Sequence, residues 1–280
     1  MPITKAERKY LKRKHQGGKN NSKGNQYENF YTVYCLALLM DEDISKWDDI
    51  YLTSQVLDAF VDDLLIEKPT SEKLYHQMKD VKALTWRSER LESDFKRQME
   101  ISQEMGECFQ LHLVYSAKDS LLKEIPEEIS SCTTAIYFPA CESLNQLLLS
   151  YIPFKDAISK IAVRGEEIRD DELFGIAGTL LGAWNSCEQK AVSLAQIAEI
   201  MRQVGEGYVN MRGYSAVEIS EACKMILNNC GLRFHINGIK LYWSSANGRL
   251  KGEIEWTSEL EQKLVDNAPK DLFEVIDLLS

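Results

Sequence analysis

Two short apolar segments joined by a polar turn place the tightest limit on how this chain can fold. Residues 62–67 (DDLLIE) have the pattern of a short strand, and the turn sequence KPTS follows directly. Residues 73–81 (KLYHQMKDV) alternate along a second strand, so the two segments predict an antiparallel, hairpin-like pair. The other elements predicted around this pair are an apolar helix over 26–42, a charged amphipathic helix over 88–107 and strands over 108–116 and 133–139. Their order predicts a mixed α/β core over residues 24–140.

Polar side chains mark the ends of the two predicted strands. Asp62 and Asp63 open the first strand, and Gln77 and Lys79 share one face of the second because successive side chains alternate. Taken singly, the aspartates are typical of a turn and the Gln-x-Lys pair of a solvated strand face. A further acidic residue, Glu28, lies on the helix that precedes the pair. The whole set in this order favours a metal-dependent hydrolytic site.

The chemistry of such a site follows from the residue types. Carboxylate and carbonyl oxygens suit Mg²⁺ or Mn²⁺, so we expect Glu28, Asp63 and the main-chain carbonyl of Met78 to hold the ion. Lys79 would orient the attacking water and stabilise the charge of the transition state, while Gln77 would shape the site. The predicted catalytic set is therefore Glu28, Asp63, Gln77 and Lys79.

The stretch from residue 24 to residue 79 resembles the PD-(D/E)XK nuclease superfamily. More narrowly, it is similar to the nuclease domain of bacterial anti-phage effectors of the CBASS and Lamassu type. The matching features are Gly24, Tyr27 and Glu28 ahead of FYTVYCLALL, Asp62-Asp63 ahead of LLI, and Gln77-Met78-Lys79. Gln77 stands where the superfamily usually has a second carboxylate. The resemblance implies a restriction-endonuclease-like core and an Mg²⁺-dependent endodeoxyribonuclease.

The same resemblance implies a biological setting and partners. The protein would be an effector subunit of an anti-phage defence system, cutting double-stranded DNA under the control of a partner protein, such as an SMC- or ABC-type ATPase, or of oligomerisation. Lys82, after the second strand, and Lys96 and Arg97, on the helix that follows, are candidates for contacting DNA; an exposed helix face is the alternative for the last two. Two other functions stay open: a catalytically inactive scaffold with the nuclease fold, and a winged-helix DNA-binding regulator.

The second half of the chain has a different composition. It is largely helical as far as a hairpin predicted over residues 232–256, where Asn-Gly turns separate alternating segments. Two helices followed by a hairpin are the order of a winged helix, so residues 141–280 are predicted to form a helical, winged-helix-like interaction domain. Glu218 and Glu221 lie on the second of these helices and would repel phosphates, which favours a protein partner over DNA.

Charge is distributed unevenly along the chain. Residues 1–23 carry eight basic side chains and one acidic side chain, although the whole chain has a net charge of −10. This segment is predicted to be a basic flexible tail, and contact with nucleic-acid phosphates is its second interpretation. Seven scattered cysteines without a Cys-x-x-Cys pair argue against a disulfide framework and a zinc ribbon. With no apolar run of about 18 residues, we expect a cytoplasmic protein without membrane contact.

Overall fold

The structure, a computed structural model, describes residues 3–19, 22–41, 44–117, 125–162, 168–187, 191–204, 219–237, 240–245 and 248–279. Its α-helices are α1 (Lys5–Lys19), α2 (Ser22–Met40), α3 (Leu91–Glu104), α4 (Leu144–Ser150), α5 (Ile152–Ile161), α6 (Asp170–Ser186), α7 (Leu194–Val204), α8 (Glu221–Asn229), α9 (Ser258–Asn267) and α10 (Leu272–Leu278). Its strands are β1 (Tyr51–Ser54), β2 (Leu64–Glu67), β3 (Glu72–Lys79), β4 (Cys108–Tyr115), β5 (Thr133–Tyr137), β6 (Val192–Ser193), β7 (Leu232–Asn237), β8 (Lys240–Ser245) and β9 (Lys251–Glu255).

A six-stranded mixed sheet lies at the centre of the larger part of the molecule, in the order β5-β4-β3-β2-β1-β6. β1, β2 and β3 are antiparallel neighbours, with Leu64 opposite His76. β3, β4 and β5 are parallel, with Tyr75 opposite Leu111, and α3 makes the crossover that parallel neighbours require. The predicted α/β class and the predicted hairpin of residues 62–81 are therefore confirmed.

Both faces of this sheet are covered. Met78 belongs to the hydrophobic core shared with α2 and α4 to α7, whereas Tyr75 belongs to the core on the opposite face, under α3. The strand between them has no solvated side near its end, because His76, Gln77 and Met78 are 2%, 3% and 5% exposed. A solvated strand face is therefore the wrong interpretation for Gln77.

The helices that follow β5 cover one face of the sheet. Leu147, Phe154, Leu180 and Ile197 lie on α4, α5, α6 and α7 respectively, and all four are buried in the core that contains α2. β6, just before α7, adds an edge strand by pairing with β1. Residues on both sides of position 140 therefore contribute to the same core. The boundary predicted between the domains 24–140 and 141–280 stays a prediction.

The N-terminal segment differs from the flexible tail expected for residues 1–23, because α1 is a helix packed against the rest of the protein. Leu11 is 2% exposed. The ring of Tyr10 stacks on Phe60 with 6.2 Å between centroids, and its hydroxyl donates to Oδ2 of Asp94 at 2.7 Å. Apolar and aromatic contacts therefore hold a helix whose composition is dominated by lysine and arginine.

The C-terminal part has its own antiparallel sheet, in the order β7-β8-β9. α8, α9 and α10 pack around it in a separate core that contains Leu227 and Trp256. The alternating segments predicted over 232–256 are confirmed as the three antiparallel strands β7, β8 and β9, whereas α7 belongs to the large core. The winged-helix assignment stays a prediction. Within the ranges that the structure describes, no helix has the length and apolarity needed to cross a membrane.

Candidate functional site

Asp63 lies directly before β2, opposite the end of β3, and is held from two directions. Its backbone N–H donates to the carbonyl of His76 at 3.1 Å. Its Oδ2 accepts a hydrogen bond from the backbone N–H of Met78 at 2.6 Å and a second from Nε2 of Gln77. The short turn between the strands sets this register, since a pairing of Leu64 with His76 carries Asp63 to the level of Gln77. The structure therefore brings together three of the predicted site residues.

The side-chain amide of Gln77 is used at both ends. While Nε2 donates to Asp63, Oε1 accepts from Nζ of Lys14 at 2.8 Å. The same ammonium donates to the carbonyl of Phe60 at 2.5 Å and lies 2.8 Å from Oδ1 of Asp62. A lysine from α1 is thus part of the site, although the sequence prediction did not include it.

Glu28 reaches the site from α2 and is held by Gln55, which follows β1. Nε2 of Gln55 donates to Oε2 of Glu28 at 2.9 Å, and the backbone N–H of Gln55 donates to the carbonyl of Asp63 at 3.1 Å. Gln55 adopts a φ of 51°, a left-handed conformation that is unfavourable for residues other than glycine. Such strain is typical of functional sites, where surrounding contacts over-determine the backbone.

The electrostatics of the site are dominated by crowded carboxyl groups. Burial raises the pKa of Glu28 to about 8, and the charge of Asp63 adds to the increase while Lys79 opposes it. Burial also raises the pKa of Asp62 to about 6, again with a contribution from Asp63 and against the opposing effect of Lys14. Lys79 therefore lies within electrostatic reach of Glu28, and a further cation would be stabilised between Glu28 and Asp63.

The predicted metal ligands form a sparse set. Among the residues that the structure describes, no three or more His, Cys, Asp or Glu side chains converge as a metal-binding group. Glu28 and Asp63 are the two carboxylates left to a metal, because Asp62 turns to Lys14. The third predicted ligand, the main-chain carbonyl of Met78, belongs to the residue whose N–H donates to Asp63.

The three cations predicted to contact DNA have different surroundings. Lys96 forms an ion pair with Glu128, and Arg97 pairs with Glu7 at 2.7 Å. Lys82 is exposed in the segment after β3. To contact DNA, Lys96 would exchange the exposed carboxylate of Glu128 for a phosphate. Arg97 is 15% exposed and also pairs with Glu100 at 3.2 Å, so its guanidinium is engaged within the protein.

Two histidines next to the site belong to the sheet core. Nε2 of His76 and Nδ1 of His112 lie 2.9 Å apart, and Nδ1 of His76 lies 3.2 Å from the carbonyl of Leu64. Burial lowers the pKa of His76 to about 3 and that of His112 to about 4. Both rings are therefore neutral at physiological pH, and both nitrogens of His76 are engaged within the sheet.

Comparisons with known proteins do not assign a function to this chain. No family model matches the sequence, and searches of curated proteins and of solved structures give no match either. A function for this protein is therefore inferred from the contacts around Asp63.

Proposed function

We propose that the protein is a metal-dependent endodeoxyribonuclease with a restriction-endonuclease-like core. The observation that carries this proposal is the pair of hydrogen bonds from Gln77 and Met78 to one carboxylate oxygen of Asp63. They join the strand of the Gln-x-Lys pattern to the acidic residue that opens its neighbour. The order α2-β1-β2-β3-α3-β4, with three antiparallel strands and then a parallel crossover, supports the assignment of the core.

The donor set around Asp63 fits a hard divalent cation such as Mg²⁺ or Mn²⁺. Glu28 and Asp63 offer carboxylate oxygens, and the carbonyl of Met78 belongs to the same edge of β3 as the N–H that binds Asp63. Two carboxylates are sufficient, since Mg²⁺ commonly uses one or two and keeps several waters. A bound cation would also stabilise the ionised form of Glu28 and so lower its raised pKa.

The residues of the chain would divide the remaining work. A bound cation would polarise a phosphate oxygen and lower the pKa of a bound water. Lys79 lies two residues beyond Gln77 on the same face of β3, and its charge reaches Glu28. From there its ammonium would orient the attacking water and stabilise the charge that develops on the phosphate. Gln77, bonded at both ends of its amide, would hold Asp63 in place.

Cleavage of supercoiled plasmid in Mg²⁺ or Mn²⁺ tests the proposal, with the wild type compared with Asp63→Asn and Lys79→Met. Lys73→Met is the matched control, because Lys73 lies on the same face of β3 at its other end, where it pairs with Glu107 at 2.7 Å. We expect cleavage by the wild type and the control, and a loss of about 100-fold or more in the other two.

Binding of Mn²⁺, followed by electron paramagnetic resonance, provides a second readout that needs no partner protein. We expect one ion to bind to the wild type and to Lys73→Met, and none to Asp63→Asn. Equal cleavage by all four proteins, combined with Mn²⁺ binding that is unaffected at Asp63, would overturn the proposal.

A catalytically inactive scaffold is the second candidate, and Gln77 is the observation that favours it. An amide lacks the charge of the carboxylate usual at this position, and its oxygen is already bonded to Lys14 at 2.8 Å. The scaffold predicts a folded protein without cleavage in either metal and without an effect of Asp63→Asn on partner binding. The plasmid and Mn²⁺ measurements separate the two candidates.

The biological setting is proposed from the resemblance of residues 24–79 to anti-phage effectors. The protein would act in the cytoplasm as an effector subunit, controlled by an SMC- or ABC-type ATPase or by oligomerisation. The module of α8 to α10 would make the contact with the partner. Phage plating on cells that carry the native locus with either the wild-type chain or Asp63→Asn tests this. Equal plating on both strains would contradict a defence role.

A further inference from the structure

We propose that Lys14 is a positioning residue of the candidate active site, which it reaches from α1 to hold Gln77 and Asp62 in place. The inference rests on the proposed function, because the site that Lys14 would serve is the one around Asp63. It assigns a role in the nuclease to the N-terminal helix.

The ammonium of Lys14 is surrounded by oxygen atoms. It donates to the carbonyl of Phe60 at 2.5 Å and to Oε1 of Gln77 at 2.8 Å, and it lies 2.8 Å from Oδ1 of Asp62. Oδ2 of Asp94 is further away, at 3.6 Å. An ammonium can only donate, and here it donates two hydrogen bonds, to Phe60 and Gln77, while Asp62 is held as an ion pair. The side chain is 19% exposed, and its contacts are therefore largely shielded from water.

These contacts decide what Gln77 can do. Because an ammonium can only donate, Oε1 must face Lys14 and Nε2 must face Asp63, and both hydrogen bonds are present. Gln77 is thereby committed as a donor to Asp63 and cannot turn its oxygen towards a metal. Oδ1 of Asp62 lies 2.8 Å from this ammonium, and Asp63 is the aspartate that accepts from the N–H of Met78.

The rigid attachment of α1 makes Lys14 a fixed part of the site. Tyr10, one turn earlier on the helix, donates to Asp94 at 2.7 Å, and Glu7 accepts from Nε of Arg97 at 2.7 Å. Leu11 is buried between these contacts. Four positions on one face of a single helix therefore determine where the ammonium of Lys14 lies.

The alternative role for Lys14 is that of an internal competitor, which fills the metal position until it is displaced. The contacts argue against this role. The ammonium binds Phe60 and Asp62, whereas the donors proposed for the metal are Glu28, Asp63 and the carbonyl of Met78. The two cations would be neighbours, bridged by Gln77. If Lys14 were a competitor, the wild type would be less active than a variant that lacks the charge of Lys14. If Lys14 is a positioning residue, the wild type is the more active of the two.

The test compares the wild type with Lys14→Met, which keeps the length of the side chain and removes the charge. Lys12→Met is the matched control, since Lys12 lies on the same helix with its side chain exposed. We expect Lys14→Met to lose about 10- to 100-fold in cleavage at saturating DNA and Mn²⁺, as for residues that orient metal ligands. Its affinity for Mn²⁺ should be unchanged or higher, because a nearby positive charge is gone. Lys12→Met should match the wild type in both.

A second readout reports on the contact itself and needs neither metal nor cleavage. In ¹⁵N-labelled protein, the side-chain amide signals of Gln77 can be assigned by their loss in Gln77→Met. We expect these signals to shift and to exchange faster with water in Lys14→Met, and to stay unchanged in Lys12→Met. If circular dichroism shows that Lys14→Met does not fold, Lys14→Gln replaces it, with the same expected losses.

Each outcome bears on the proposal. Faster cleavage by Lys14→Met would identify a competitor and overturn it, and so would unchanged cleavage or an unchanged Gln77 amide. If the wild type neither binds Mn²⁺ nor cuts DNA, the proposed nuclease fails, and the exchange of the Gln77 amide still decides whether Lys14 holds that residue.

Discussion

The backbone N–H of Met78 donates to Oδ2 of Asp63 across 2.6 Å, which ties the side chain that opens β2 to the main chain of β3. This bond links the position of a candidate metal ligand directly to the pairing of two strands. It holds Asp63 at the end of β3, which Gln77, Met78 and Lys79 form.

Replacement of Asp63 by asparagine and by alanine should separate metal binding from stability. The asparagine side chain would keep an oxygen for the N–H of Met78 and the amide of Gln77, whereas alanine would leave both buried donors without an acceptor. We expect Asp63→Ala to be less stable than Asp63→Asn by about 1–3 kcal/mol in urea unfolding. Both variants should lose Mn²⁺ binding, and retention of tight binding by either would show that Asp63 is not a ligand.

Replacement of Glu28 by glutamine should stabilise the metal-free protein at alkaline pH. The folded state raises the pKa of Glu28 from 4.5 to about 8. The contribution of protonated Glu28 to the free energy of unfolding is therefore complete below a pH of about 4.5 and is lost as the pH rises through about 8. In EDTA, Glu28→Gln should gain on the order of 2 kcal/mol over the wild type between about pH 5 and pH 9. Glu92→Gln, on the exposed face of α3, is the control and should show no such trend.

Glycine at position 55 should be tolerated better than alanine. Both changes remove the hydrogen bond to Glu28, but only glycine relieves the positive φ of 51°. We expect Gln55→Gly to be more stable than Gln55→Ala by about 1 kcal/mol in urea unfolding. The reverse order would mean that the backbone at this position relaxes once the side chain is removed.

Truncation of Leu11 should destabilise the protein by weakening the packing of α1. Leu11 lies on the buried face of α1 and is 2% exposed, so Leu11→Ala should cost about 2–5 kcal/mol in the free energy of unfolding. Lys12→Ala, at the exposed neighbouring position, should change it by less than about 0.5 kcal/mol. Equal stability of the two variants would restore the interpretation of residues 1–23 as a tail.

The hairpin and the residues it brings together could be predicted from the sequence. A short turn between two alternating segments leaves few possible registers, and the one adopted places Asp63 level with Gln77. The burial of Gln77 is harder to predict from the sequence. Its strand alternates in polarity, yet one face lies under α2 and the other under α3. Burial on both faces depends on helices that are distant in sequence.

Lys14 and Gln55 were missed for different reasons. Glu7, Tyr10, Leu11 and Lys14 do recur at helical spacing, but the abundance of basic residues around them has the composition of a tail. Gln55 left no comparable signal. Glutamine is not a residue type associated with positive φ, so the left-handed backbone that brings it to Glu28 has no counterpart in the sequence.

The hydroxyl of Tyr10 and the carboxylate of Asp94 are separated by 84 positions in the sequence. During synthesis α1 leaves the ribosome before the surface it packs on, which is complete only after β1, β2, β3 and α3 have followed. Contacts of such separation form late, because a long loop must close before they are made. If the proposed nuclease activity depends on Lys14, the nascent chain would therefore lack this activity until α1 has packed. Unfinished molecules would then not cut the DNA of the cell that makes them.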